Sequence, residues 1–354
     1  MKIPTMQGIT AKTIASVRLT TRVLFAGEES GAPVLFLHGN TSSATWWEEV
    51  LVTLPPGFHG IAPDLRGFGE ADPEALIDAT RGVGDFADDA FALQDALGIE
   101  KAHLVGNSMG GSVIWRMLID QPQRILSAFQ VDPGSPYGFG GTKGAEGQPC
   151  YPDYAGSGGG LANPELIRRL KEGDLSLESQ FSPRAVLRTL IVKAPFIPDR
   201  ENELVRSMCS MHIGPQQNPG DAARSANWPF VAPGVHGAAN SLSPKYAGDV
   251  TRLYRIDPKP PILWLRGAND LLVSDQAASD PATVGMMGLL PGWPGLEIYP
   301  PQPMLAQTRA VLDKYRAAGG SYREIIIPAA GHAPYLDKLE EFNRIFHEHL
   351  QAYR

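Results

Sequence analysis

The sequence predicts an α/β protein with a mostly parallel central sheet, helices on both sides of it, and a large insertion. Short apolar segments of buried-strand type alternate with segments of helical periodicity up to residue 133, and the alternation resumes near residue 246. The stretch between them is rich in glycine and proline. A glycine-flanked serine, in Gly106-Asn107-Ser108-Met109-Gly110, lies at a strand-to-helix transition. Such a turn presents the serine at the edge of the sheet where parallel strands end.

The elements of the first part follow from apolar runs bounded by turn residues. An antiparallel hairpin is expected to open the sheet, and the helix after the third strand is stopped by Pro55-Pro56-Gly57. Strands are expected at residues 10–20, 22–26, 33–37, 60–63, 102–106 and 125–131, and helices at residues 45–54, 84–97 and 112–119.

The second part divides into an insertion, a resumed core and a second excursion. Residues 134–245 begin with a glycine-rich loop and then carry helical segments at residues 164–171, 183–192 and 202–209. Core strands are expected at residues 261–265 and 322–327, and helices at residues 304–318 and 337–353. Residues 271–303, rich in Gly, Pro and Met, form the second excursion.

Length and composition fit one large globular domain with an insertion, or two small domains. The chain has 354 residues, of which 43% are hydrophobic and 19% charged, and a chain of this length buries a full core. Its net charge of −7 argues against nucleic acid or an anionic membrane as a partner. We therefore expect a small-molecule substrate.

The motifs and segments that the sequence lacks bear on metal binding, on the redox state of the cysteines and on cellular location. No H-E-x-x-H or paired C-x-x-C motif occurs, so we expect no metal and no other cofactor. Cys150 and Cys209 are too few for a disulfide framework, and we expect both to be reduced. Residues 1–21 lack a continuous apolar core, which predicts neither a signal peptide nor a membrane anchor and favours a cytoplasmic protein. A homodimer is compatible with all of this.

Four further segments, in order along the chain, resemble one family. They are His38-Gly39-Asn40 after a strand, the turn at residues 64–69, Arg266-Gly267-Ala268-Asn269-Asp270, and Gly331-His332. Together with the serine turn they make the chain resemble the α/β-hydrolases, over residues 10–133 and 246–354. The resemblance implies the α/β-hydrolase fold, with residues 1–133 and 246–354 as its core and residues 134–245 as a cap, or lid, over the nucleophile. The second excursion is expected to pack near this cap.

Ser108 and His332 are the expected nucleophile and general base. A serine hydroxyl is a poor nucleophile unless a base takes its proton, and that base needs a third group to hold its tautomer. Of the eight histidines, only His332 lies in a glycine-flanked loop directly after the last predicted strand. The alternative is that His332 is an exposed loop residue.

The third group is expected to be Asp270, which follows a core strand in the order Ser, Asp, His. Asp132 remains the alternative, because it follows the strand after the serine turn, where some family members carry the acid. Asp275 is better explained as a residue that caps or solvates a helix. By the family pattern, the backbone amides of Asn40 and Met109 are the oxyanion donors. The turn at residues 64–69 is expected to be structural, held by Arg66.

These residues predict a serine hydrolase that cleaves a medium-sized, apolar ester or lactone through an acyl-enzyme. A serine displacing halide or opening an epoxide would form an inert ether, which excludes the dehalogenase and epoxide hydrolase reactions of this family. The serine turn, residues 106–111, also resembles that of C–C hydrolases of aromatic ring-fission products, so cleavage of a C–C bond stays open as an alternative function. A non-catalytic binder would usually have lost a triad member, and none is missing.

Apolar residues of the cap and the second excursion are candidates for substrate contact. We expect Trp228, Met286 and Trp293 to contact substrate, in an inner wall shared with Phe230, Met287 and Leu289. The alternative is that these side chains form a small core of the cap itself.

Overall fold

A computed structural model describes the chain from residue 3 to residue 354. Its strands, in chain order, are β1 (Thr10–Ala15), β2 (Thr20–Gly27), β3 (Ala32–Leu37), β4 (Phe58–Pro63), β5 (Ala102–Asn107), β6 (Ile125–Val131), β7 (Thr142–Lys143), β8 (Gln148–Pro149), β9 (Ile213–Gly214), β10 (Asn218–Pro219), β11 (Ala222–Arg224), β12 (Val231–Pro233), β13 (Ile262–Gly267) and β14 (Tyr322–Ile327).

The α-helices are α1 (Glu48–Leu51), α2 (Gly84–Ala96), α3 (Met109–Asp120), α4 (Pro164–Glu172), α5 (Pro183–Val186), α6 (Glu201–Met208), α7 (Ala238–Ser241), α8 (Pro281–Met286), α9 (Met304–Ala317), α10 (Pro334–Asp337) and α11 (Leu339–Ala352). Short 3-10 helices lie at Ala44–Trp47, Ala79–Arg81, Pro122–Arg124, Gly159–Leu161, Pro244–Tyr246 and Val250–Arg255, and a π-helical turn lies at Leu187–Ile191.

The central sheet has eight strands in the order β1-β2-β4-β3-β5-β6-β13-β14. β2 pairs antiparallel with β1 and with β4, and every later pairing in the sheet is parallel. The α/β class with a mostly parallel sheet, predicted from the sequence, is therefore confirmed. The order reverses between β3 and β5, and in such sheets ligands bind beyond the carboxyl ends of the strands at that point. The loops after β3 and β5 contain Gly39 and Ser108.

Three helices differ from their expected bounds because part of the segment is a 3-10 turn, a π-helical turn or a non-helical residue. The helix expected at residues 45–54 begins as a 3-10 turn capped by the Ser43 side chain and continues as α1. The segment at residues 183–192 is α5 followed by the π-helical turn. The closing helix is divided at Lys338, whose φ of −140° is outside the helical region, into α10 and α11. Local periodicity does not distinguish these geometries.

The hydrophobic core extends from the sheet into the insertion. Insertion residues Leu187, Leu204 and Val205 are almost completely buried and belong to the same apolar cluster as the sheet. A separate small cluster contains Trp228, Ala282 and Tyr299, with Trp293 packed against it. No helix between residues 3 and 354 is both long and apolar enough to cross a membrane.

Candidate active site

Ser108 lies between β5 and α3 in a strained backbone conformation. Its φ is 55° and its ψ is −116°, values that a residue with a Cβ adopts only where the surrounding structure enforces them. The enforcement is close packing at the flanking glycines: a Cβ on Gly110 would lie 2.1 Å from the Leu37 carbonyl oxygen, and one on Gly106 would lie 2.6 Å from the Gly110 carbonyl carbon. Only glycine at both positions lets α3 approach β3 and β5 this closely. The Ser108 side chain remains half-buried at the start of the helix.

The loop after β3 lies directly against Ser108. A Cβ placed on Gly39 would be 3.2 Å from the Ser108 Cβ. The backbone N–H groups of Asn40 and Met109 make no hydrogen bond to any part of the chain that the structure describes. Met109 is the first residue of α3, where helix geometry leaves the N–H without an intrahelical acceptor. Neither N–H group is therefore used within the described chain, and their role as oxyanion donors stays a prediction.

His38 anchors this loop and has no catalytic geometry. Its Nδ1 donates to the Gly39 carbonyl oxygen at 2.8 Å, and its Nε2 accepts the Leu65 backbone N–H at 3.0 Å. Complete burial is the main reason that the pKa of His38 falls to about 4, so the imidazole is neutral at ordinary pH. His38 thus ties the loop after β3 to the turn after β4.

The turn at residues 64–69 is held by buried ion pairs. Asp64 accepts two hydrogen bonds from Arg22, at 2.9 and 3.0 Å, and Arg66 pairs with Asp89 at 2.7 Å. A Cβ on Gly69 would lie 2.2 Å from an Asp64 carboxylate oxygen. These contacts agree with the expectation that this turn has a structural role and that Arg66 holds it in place.

Asp270 and His332 form a buried pair. His332 Nδ1 lies 2.8 Å from Asp270 Oδ2, and the other Asp270 oxygen accepts the backbone N–H groups of Leu272 and Val273 at 2.7 and 3.0 Å. Nδ1 therefore carries the proton in this pair, which leaves Nε2 as the basic nitrogen. Asp275 is not part of the pair, since its Oδ1 accepts two backbone N–H groups at the start of α9.

Asn107 connects the histidine loop to the serine turn. Its side-chain amide donates to the His332 carbonyl oxygen at 3.0 Å and to the Val131 carbonyl oxygen at 3.1 Å, and its Oδ1 accepts the Tyr335 hydroxyl at 3.2 Å. No hydrogen bond joins the Ser108 hydroxyl to His332 Nε2 in this structure. Such catalytic contacts are often long before substrate binds and shorten in the complex.

The insertion also supports His332. The His332 backbone N–H donates to the Ile191 carbonyl oxygen at 2.7 Å, at the end of the π-helical turn. Asp337 Oδ2 accepts the backbone N–H groups of both Gly331 and Lys193, at 2.8 and 2.7 Å. The roles of Asn107, Ile191 and Asp337 were missed in the sequence. For Asn107 the only signal was its place beside Ser108, and for Asp337 it was its place shortly after the Gly-His loop.

Asp132, the alternative acid, lies at the same site. It is next to the Asp270 carboxyl, and no hydrogen bond joins it to His332. One oxygen of each aspartate and one ring nitrogen of His332 lie within 4.8 Å of one another, and all three residues are buried. The Asp132 carboxyl accepts the Gly267 backbone N–H at 3.0 Å. Burial first, and then the charge of the neighbouring Asp270, raise the pKa of Asp132 well above its usual range.

The predicted substrate-contact residues lie where the two excursions meet. Trp228 donates its indole N–H to the Pro291 carbonyl oxygen, and Trp293 donates its own to the Tyr299 carbonyl oxygen, both at 2.9 Å. Met286 is 45% exposed. The other members of the expected inner wall, Phe230, Met287 and Leu289, are also exposed. Trp228 and Trp293 make these contacts within a cluster of the excursions, so their substrate role stays a prediction.

Comparisons with known proteins agree with this architecture. Residues 32–145 match a family model described as the alpha/beta hydrolase fold. The chain is 39% identical over 120 residues to the dihydrolipoyllysine-residue acetyltransferase component of the acetoin cleaving system of Cupriavidus necator, a match covering 34% of this chain and 30% of that protein. It is 38% identical over 113 residues to 2-hydroxy-6-oxo-6-phenylhexa-2,4-dienoate hydrolase of Comamonas testosteroni, covering 31% of this chain and 38% of that protein.

The matched segment thus spans about a third of the length of these curated relatives. Among solved structures, a carboxylesterase of Bacillus subtilis superimposes with a TM-score of 0.57 and 16% identity, over 96% of this chain and 90% of that chain. At that identity the likeness shows the fold.

Proposed function

We propose that this chain, whose residues 32–145 match the α/β-hydrolase family model, is a serine hydrolase that cleaves a carboxylic ester or lactone through an acyl-enzyme. One observation carries the proposal: His332 pairs with Asp270 at 2.8 Å, and its backbone carbonyl oxygen is hydrogen-bonded by Asn107, the residue that precedes Ser108. Ser108 is the nucleophile, His332 the general base, and Asp270 the group that holds the tautomer.

The first half of the reaction forms the acyl-enzyme. Ser108 Oγ attacks the acyl carbon while His332 Nε2 takes the hydroxyl proton, and the negative charge moves to the former carbonyl oxygen. The amides of Asn40 and Met109 stabilise that oxygen, and each preorganised donor of this kind contributes on the order of 3 kcal/mol. The tetrahedral intermediate collapses when the bond to the leaving alkoxide breaks, and His332 returns the proton to it.

The second half repeats these steps with water. His332 Nε2 takes a proton from water, which attacks the acyl carbon, and Ser108 leaves with the proton from His332. The products are a carboxylic acid and an alcohol, joined in one hydroxy acid if the substrate is a lactone. During both halves the imidazolium is stabilised by the ionised Asp270, whose other oxygen already accepts two backbone N–H groups.

The second candidate is hydrolysis of a C–C bond in a ring-fission product. It is favoured by the 38% identity to the dienoate hydrolase of Comamonas testosteroni. Ester and C–C cleavage differ in the substrate, so a panel of chromogenic esters, lactones and one ring-fission dienoate, assayed on the purified protein, distinguishes them. Turnover of the dienoate at a higher kcat/KM than any ester would favour the second candidate.

Labelling with a fluorophosphonate tests the nucleophile directly. We expect wild type to be labelled and Ser108→Ala to remain unlabelled, because the probe bonds only to an activated hydroxyl. Loss of a triad nucleophile lowers kcat by about 10⁴ to 10⁶-fold.

A matched control is Ser112→Ala, one turn further along α3, whose buried hydroxyl has no hydrogen-bond partner within residues 3–354. It should be labelled like wild type. Labelling that persists in Ser108→Ala contradicts the assignment.

A further inference from the structure

Two aspartates share one buried site beside His332, and their hydrogen bonds differ. Asp270 receives three donors: two backbone N–H groups and the His332 ring. Asp132 receives one backbone N–H, from Gly267, which lies 3.0 Å from one of its oxygens and 3.3 Å from the other. A carboxylate with several donors is stabilised in its charged form, whereas a buried carboxyl with a single donor is not. The negative charge of the pair therefore belongs on Asp270.

The geometry of Asp132 brings its carboxyl to Asp270. Asp132 directly follows β6 and has a φ of 41°, an uncommon value for a residue with a side chain. Because β6 pairs directly with β13, the loops after these two strands are neighbours. The Gly267 N–H at the end of β13 then donates to Asp132, and the Asp270 side chain, three residues further along, lies at the same site.

We propose that Asp132 is a neutral carboxylic acid that donates a hydrogen bond to Asp270, and that it acts as a positioning residue for the triad. This inference rests on the proposed function. With a neutral partner the site holds a single negative charge, which matches the single positive charge of His332 when it takes the serine proton. The donated hydrogen bond fixes the Asp270 carboxylate in the orientation that faces His332 Nδ1.

The other charged and titratable groups around Asp132 are consistent with one proton held between the Asp132 and Asp270 carboxyl groups. Arg266, next to Gly267, favours ionisation of Asp132, but its guanidinium is already paired with Glu324 at 3.0 Å. The buried Tyr335 hydroxyl donates to Asn107. Two carboxyl groups this close cannot both ionise without strong repulsion, and the known outcome in such sites is a shared or retained proton.

Two substitutions separate the proposed role from simple packing. In Asp132→Asn the amide nitrogen can donate to Asp270 and the amide oxygen can accept the Gly267 N–H, so both hydrogen bonds are kept without a titrating proton. In Asp132→Ala both are lost. We expect kcat to stay within about threefold of wild type for Asn and to fall by about 10 to 100-fold for Ala, with little change in KM. Equal losses in the two variants overturn the proposal.

An infrared measurement reads the proton without relying on activity or on the alanine variant. The difference spectrum of wild type minus Asp132→Asn at neutral pH should contain the C=O stretch of a protonated carboxyl. Asp275→Asn, which removes an exposed aspartate, serves as the control and should show no such band. If the wild-type minus Asp132→Asn spectrum lacks the band, Asp132 is ionised and the proposal is wrong.

The outcomes also separate this proposal from the proposed function. If Ser108→Ala keeps its fluorophosphonate label, the serine mechanism fails, whatever Asp132 does. If Ser108→Ala loses the label while Asp132→Asn loses as much activity as Asp132→Ala, the serine mechanism stands and the positioning role of Asp132 fails.

Discussion

The contact between Asp270 and His332 is the single-residue feature on which the proposed chemistry depends most. In Asp270→Asn, the amide nitrogen would face Nδ1 as a donor and favour the tautomer that has its proton on Nε2, where it cannot act as a base. We expect kcat to fall by about 10³ to 10⁴-fold with the fold intact. Steady-state kinetics and the melting temperature measure the two parts of this prediction.

Asp275→Asn is the matched control for Asp270→Asn. Asp275 lies five residues further along the same loop and is exposed, and it caps α9 through the backbone N–H groups of Leu305 and Ala306. Its substitution should change stability slightly and leave kcat unchanged. An Asp270→Asn variant as active as Asp275→Asn would exclude Asp270 as the group that orients His332.

Residue types and strand order predicted that Ser108, Asp270 and His332 lie at one edge of the sheet, and they favoured Asp270 over Asp132 as the acid without giving the contacts that distinguish the two. Asp132 and Asp270 each follow a parallel strand, and β6 and β13 are adjacent, so both carboxyl groups reach the same place. Which carboxyl meets the imidazole depends on the backbone angle at Asp132 and on the donors at residues 272 and 273. Neither is encoded in a local pattern.

At the scale of elements, two buried histidines join β5, β6 and α11. His103 Nδ1 and His349 Nε2 lie 2.8 and 2.9 Å from the same Ser127 hydroxyl. Burial is the main cause that lowers the pKa of His103 to about 4 and that of His349 to about 3. Both imidazoles are therefore neutral in the folded chain at pH 7, and the Ser127 hydroxyl can donate to one of them and accept from the other.

We expect this cluster to make the free energy of unfolding depend on pH. Unfolded histidines bind protons near pH 6.5, whereas the folded ones do so only near pH 4 and below, so the unfolded chain holds more protons in between. The contribution of the two neutral histidines to the free energy of unfolding is therefore fully present above about pH 6.5, and it is lost as the pH drops towards 4. We expect His349→Gln, which can still bond to Ser127, to reduce this loss by on the order of a few kcal/mol.

Urea unfolding at pH 7 and pH 4.5 measures the effect. His236→Gln is the control, because it removes a histidine of the insertion that is only half-buried. It should leave the difference between the two pH values unchanged. A pH dependence that is the same in wild type and in His349→Gln would show that the acid sensitivity comes from other groups.

Elements with a clear period were predictable, and those fixed by long-range contacts were not. β6 and β14 have the bounds expected from their apolar runs, Ile125–Val131 and Tyr322–Ile327. The π-helical turn at Leu187–Ile191, in contrast, ends where its backbone meets the histidine loop. That contact spans more than a hundred residues of chain, and nothing in the local sequence reports it.

At the scale of the whole molecule, the insertion and the second excursion contact each other at several points. The Tyr299 hydroxyl donates to the carbonyl oxygens of Ala155 and Gly156, at 3.2 and 3.1 Å. The Trp228 and Tyr299 rings meet edge to face with centroids 5.0 Å apart. The Gln302 side chain accepts the Gly140 N–H at 2.6 Å. The two excursions therefore support each other, and their joint surface contains the aromatic residues singled out in the sequence.

A substitution of Trp293 tests whether that aromatic surface contacts substrate or only packs the two excursions together. Its ring lies against Gly285, where an added Cβ would be 2.8 Å from the Trp293 side chain, and it packs onto the small cluster of Trp228, Ala282 and Tyr299. These contacts favour the packing interpretation. We therefore expect Trp293→Ala to lower the melting temperature, because removing a large side chain from a packed cluster costs about 3 to 5 kcal/mol when it is fully buried and less when, as here, it is half-buried.

Two substrates of different size complete this test. If Trp293 only packs, KM for a bulky aryl ester and for a short acetate should change in parallel, by less than about twofold. Met287→Ala is the control, since the Met287 side chain is 69% exposed and its loss should not lower the melting temperature. A KM that rises for the aryl ester alone, at unchanged stability, would instead place Trp293 in the wall of the substrate pocket. The joined excursions would then form a lid that selects substrates by size.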